Sequence, residues 1–140
     1  MRHATFILPA VPVLGALLLA ACAGSPQAPE AMTTVEVTAL YRERIMLPPG
    51  HTLTVRVEDV SRADTAAEVM AERRMPLDGG PPYAVSLSVP TARIDPRHTY
   101  AARAEIRDPS GALRFTTDTR HAVLTQGAPN RADIILVGVR

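Results

Sequence analysis

From Thr34 to the C-terminus the chain repeats one pattern: apolar and polar residues alternate in short runs that end at turn formers. Successive side chains on a strand point to opposite faces, so alternation marks a strand with one dry face and one wet face. Val35, Val37, Ala39 and Tyr41 alternate with Glu36, Thr38 and Leu40. The same holds from Leu53 to Glu58, Tyr83 to Val89, Tyr100 to Ile106 and Leu113 to Asp118. Between the runs stand Pro48-Pro49-Gly50, Asp78 to Pro82, Asp95-Pro96, Asp108 to Gly111 and Gln126 to Asn130. Proline and glycine at such positions preset tight turns, and Asp108 to Gly111 reads as the clearest hairpin. The spacing predicts an all-β fold, an antiparallel β-sandwich of seven to eight short strands over residues 34–140. No strand–helix–strand alternation is present, which excludes doubly wound folds.

Two stretches depart from the pattern. Ala63 to Arg74 is rich in the helix formers Ala, Glu, Met and Arg, yet Ala67, Val69 and Ala71 also alternate with Glu68, Met70 and Glu72. Its neighbours are all strands, so a strand is expected here too. Residues 134–139 (IILVGV) are apolar without alternation, which predicts a strand that is central or covered on both faces. Simple core explains such a run; a bare second face would instead mark a surface that a partner covers.

The first residues belong to a different kind of segment. Arg2 and His3 are followed by an apolar stretch from Ala4 to Ala21 that ends in small residues, the pattern of a secretory signal over residues 1–21. Leu19-Ala20-Ala21-Cys22 resembles the lipobox of bacterial lipoproteins. That resemblance implies cleavage before Cys22, acylation of its thiol and then of its new amino group, and attachment to membrane lipid. A free cysteine in an ordinary cleaved signal, or an uncleaved anchor, is the plainer alternative. Ala23, and not an aspartate, follows the cysteine, which implies an outer-membrane address facing the periplasm. Residues 22–33 then read as the acylated N-terminus and a flexible tether rich in Ala, Pro, Ser and Gly.

Removal of the leader leaves 119 residues, enough for one domain, with 14 arginines against 14 carboxylates and no lysine. A neutral chain is not a nucleic-acid binder. With Tyr41, Tyr83, Tyr100 and Phe115 as its aromatics, it also lacks a stacking platform for bases or sugars. Catalytic motifs are absent, and Cys22 cannot form an internal disulfide. His51, His98 and His121 are far apart and adjoin turns, so no metal site and no cofactor is expected. Asp95 with His98 could form part of an acid–base pair, but an aspartate before Pro96 more simply caps its own turn. Glu58 and Asp59 are adjacent on a strand and so point apart, a poor paired-carboxylate site. Arg42-Glu43-Arg44 and the row Arg103, Glu105, Arg107 fit ion pairs on a wet face or a charged docking row.

Longer stretches carry a family resemblance. Tyr41 to Gly50 (YRERIMLPPG), Val57 to Asp64 (VEDVSRAD) and Ala92 to Gly127, which holds IDPRHTY and LRFTTDT, resemble the YbaY family of lipoproteins, related to YscW-type pilotins of type III secretion. The resemblance spans most of residues 36–139 and brings no catalytic residues. It implies a β-sandwich in the periplasm and, from the pilotins, a secretin-type client escorted to the outer membrane. Two readings follow. One is a membrane-anchored, non-catalytic binding or chaperone module for an envelope protein. The other is a structural envelope lipoprotein with no dedicated client. Neither is an enzyme.

Overall fold

The computed structural model describes residues 27–140. The signal expected over residues 1–21 and the acylated Cys22 lie outside the described residues. Eight strands follow one another: β1 (Met32–Tyr41), β2 (Thr52–Asp59), β3 (Glu68–Pro76), β4 (Tyr83–Pro90), β5 (Tyr100–Arg107), β6 (Leu113–Thr116), β7 (His121–Val123) and β8 (Arg131–Gly138). A 3-10 turn, Thr91–Arg93, follows β4. β1 begins at Met32 and not at Thr34, because Ala31 is already tied down: its carbonyl accepts the Thr91 amide.

The all-β expectation holds, but the fold is not a strictly antiparallel sandwich. The strands form one mixed sheet in the order β3-β2-β5-β6-β8-β1-β4, with β7 added to β5, curled toward a barrel. β8 runs parallel to β1, pairing Glu36 with Arg131 through Tyr41 with Leu136. The other ladders are antiparallel. Alternation reports which face of a strand is dry, not the direction of its neighbour, so the parallel ladder left no trace in the pattern.

These directions sort the loops into two ends. The starts of β1, β3, β5 and β8 and the finishes of β2, β4 and β6 lie together, at what we call the leading end. The loops 42–51, 77–82 and 108–112 lie at the far end. There Asp108 closes the β5–β6 hairpin, its carboxylate accepting the amides of Ser110 (2.9 Å) and Ala112 (3.0 Å).

Alternate residues of each strand fill the interior. Val35 and Val37, Leu53 and Val55, Leu87 and Val89, Ala102 and Ile106, and Ile134 and Leu136 are all buried. Tyr41 stacks on Phe115 with ring centroids 4.8 Å apart. β8 sits between β1 and β6 as expected, but it is not covered on both faces. Ile134 and Leu136 are buried while Ile135 is 38% exposed. The pleat sends every second side chain outward whether or not it is apolar.

The ambiguous stretch becomes β3, preceded by a turn at 63–65. Its pairing with β2 is broken by a bulge at Val57/Glu58, where Met70 has no partner and turns into the core. Helix propensity gives way there to tertiary pairing.

Candidate functional site

The leading end is held by a polar hub. Asp59 ends β2 and His98 lies in the loop before β5. His98 Nδ1 meets Asp59 Oδ2 at 2.6 Å. The Ser61 amide (2.9 Å) and hydroxyl (2.5 Å) donate to the other carboxylate oxygen. Ser61 Oγ also accepts the Thr99 amide, and Val60 donates to the Thr99 carbonyl. The His98 carbonyl accepts Thr125 Oγ1 at 2.6 Å. Burial works to raise the Asp59 carboxyl, but hydrogen bonds from Ser61 and then His98 outweigh it and hold it below its ordinary value. Beside the hub lies an open cleft of about 400 Å³, lined by Asp59, Ser61, Arg62, Thr65, Ala66, Glu68 and His98. Serine, histidine and aspartate are all present, yet Ser61 donates to Asp59 and not to His98. The order needed to activate a nucleophile is therefore missing.

The other expected positions fall into place singly. Asp95 does not pair with His98. It caps its own loop through the Arg97 amide (2.9 Å) and grips the Arg97 guanidinium (3.0 and 2.7 Å), which holds its carboxyl well below the usual range. His51 is buried with Nδ1 2.8 Å from the Pro48 carbonyl, and His121 lies on β7, which the pattern did not foretell. Among the described residues no cluster of metal-binding side chains occurs. Glu58 and Asp59 do point apart, to the outer face and to the hub. The Asp59–His98 pair went unread because 39 residues separate its members; the available clue was that each borders a turn at the end of an alternating run.

The charged row lies on the outer face of β3, β2 and β5. Arg56 bridges Glu72 (2.6 Å) and Glu105 (3.5 Å), and Arg107 reaches Glu105 at 3.1 Å. Arg103 approaches Glu58 at 3.9 Å, leaving the buried Oε2 of Glu58 without a hydrogen bond among the described residues. The Arg56 and Arg103 pairs are the cross-strand pairs the spacing suggested, while Arg107 and Glu105 pair along β5 itself. Arg42, Glu43 and Arg44 instead occupy an exposed far-end loop beside Ile45 (54% exposed) and Met46 (73% exposed). On the outer face of β8, Ile135 pairs with Leu40 and is partly exposed, as is Val139 just beyond the strand.

A curled, mixed eight-stranded sheet among the described residues, with loops at both ends, defines a small all-β domain as its class. The chain belongs to the family described as type III secretion system lipoprotein chaperone (YscW), whose model matches residues 30–136. It is 32% identical over 146 aligned positions to the uncharacterized lipoprotein YbaY of Escherichia coli strain K12, covering 89% of this chain and 75% of the relative. Among solved structures it resembles an alternative pilotin from the type II secretion system of Vibrio cholerae. That likeness has a TM-score of 0.75 and 34% identity, covering 79% of this chain and 99% of the pilotin. These relatives are named as a chaperone, a lipoprotein and a pilotin, and none as an enzyme.

Proposed function

We propose that this chain is a pilotin-like lipoprotein: a non-catalytic docking module that binds a secretin-type subunit in the cell envelope. In this reading acylated Cys22 anchors it to the outer membrane, facing the periplasm. The carrying observation is the likeness to the type II secretion pilotin, which spans nearly all of that protein at 34% identity. The family match over residues 30–136 supports the same reading from sequence. A lipid anchor of two or more acyl chains holds a protein on a bilayer stably, at about 0.8 kcal/mol per buried methylene. The ten residues from Cys22 to Ala31 reach at most about 35 Å when extended, so the leading end stays near the membrane.

The test is co-purification of the full-length lipoprotein with a co-expressed secretin subunit of the same cell. Cys22→Ser is run beside it, and both chains are labelled with a clickable palmitate analogue. The expected result is secretin recovery with the native chain, and label on it but not on Cys22→Ser. Equal label on both chains refutes the anchor. Failure to recover secretin refutes the client and leaves a structural envelope lipoprotein.

A further inference from the structure

The two edges of the sheet are unlike. β3 closes one side and β4 the other, and no backbone ladder joins them. An exposed strand edge is a template for another strand, and proteins guard such edges with bulges, charges and proline. β3 carries every one of these guards. It has the bulge at Val57/Glu58, charges at Glu68, Glu72, Arg73 and Arg74, and a terminal Pro76. Arg73 pairs with the buried Val55, so a charge stands on the side of the pleat that is elsewhere apolar.

Of these defences β4 has only the terminal proline. Tyr83 to Val89 contains no charge, no bulge and no proline; only the last residue, Pro90, is one. Val85, Leu87 and Val89 face the core, and Ala84, Ser86 and Ser88 are small, neutral and exposed. On the side away from β1, its backbone donors and acceptors have no ladder partner among the described residues. β3 lies beside this edge with Met70 buried in the shared core, and at the leading end Arg93 of the 3-10 turn after β4 reaches it. Arg93 Nη2 meets Glu68 Oε1 at 2.6 Å and Met70 Sδ at 3.9 Å. That ion pair is largely exposed, so it is a weak fastening.

We infer that the free edge of β4 receives an extended segment of the partner, which adds as a further strand to β8-β1-β4 while β3 gives way. The inference rests on the secretin reading and names the contact. The edge selects its occupant by chemistry. Only another polypeptide backbone offers donors and acceptors at strand spacing. The neutral, pleated rim suits a segment apolar on its inward side and small or polar outward.

The experiment uses the full-length lipoprotein in detergent with the purified secretin subunit. Hydrogen exchange is followed with and without secretin, and a photo-crosslinking amino acid is placed at Ala84, Ser88 or Arg74 in turn. Binding should slow exchange in 83–90 by about tenfold or more. Ala84 and Ser88 should crosslink to secretin and Arg74 should not. Association with unchanged exchange in 83–90, or crosslinking from Arg74 alone, overturns the edge assignment while the secretin reading stands. Crosslinks between two copies of this chain in place of secretin also overturn it. Absence of any association overturns both.

Discussion

Leu136 and Ile135 are neighbours of similar size on β8, and they test whether that strand has one dry face or two. Leu136 is 1% exposed and sits in register with the buried Tyr41; Ile135 is 38% exposed beside Leu40. Leu136→Ala removes three buried carbon groups, about 2.4 kcal/mol at about 0.8 kcal/mol for each. The cavity left among packed neighbours adds to this, for a total of about 3–4 kcal/mol. Ile135→Ala removes as many carbons from a partly wet site where water fills the gap, so its cost is about 1 kcal/mol. A domain of this size is stable by about 5–15 kcal/mol, so both variants fold. Urea titration followed by far-ultraviolet circular dichroism reads the difference. Leu136→Ala should lower the midpoint at least twice as much as Ile135→Ala, with unchanged slope. Equal losses at the two positions would show β8 covered on both sides and refute the one-faced reading.

Two further outcomes follow from buried or linked polar groups. The buried Thr117 hydroxyl accepts the Ala104 amide at 2.8 Å and donates to the Ala104 carbonyl at 2.9 Å, so Thr117→Val leaves an unpaired amide inside and should cost about 1–3 kcal/mol by the same titration. Asp59 has a lowered pKa in the folded state, so its contribution is complete above the ordinary value of 3.8 and is lost as pH falls through the folded value; a pH series of melts should show that acid loss in the native chain and a shallower one in Asp59→Asn.

Much of the fold was legible because β1, β2, β4 and β5 each bury one face, and burial of one face writes itself as alternation. β3 was harder. An edge strand packs little, so its composition is free to favour helix, and Glu72 and Arg74 serve ion pairs and edge protection in place of the core. In the second half of β8 the outward residues Ile135 and Val137 are apolar as well, so the run 134–137 did not separate its faces. β7, three residues long, is too short to show a period. The hub was hidden for another reason: Asp59 and His98 meet only after β2 and β5 pair, and long-range register is not written in local spacing.

The parallel ladder between β1 and β8 has a mechanical consequence. Tension from an anchor at the N-terminus would enter the domain at Met32 and run along the axis of β1. That strand is flanked on both sides, by β4 from Met32 to Ala39 and by β8 from Glu36 to Tyr41. The hydrogen bonds of both ladders lie across the pull, so they share the load in shear and must fail together. A strand at the sheet edge, peeled from one end, would release them one at a time. Placing the first strand inside the sheet makes the domain more resistant to a pull on its N-terminus than an edge position would.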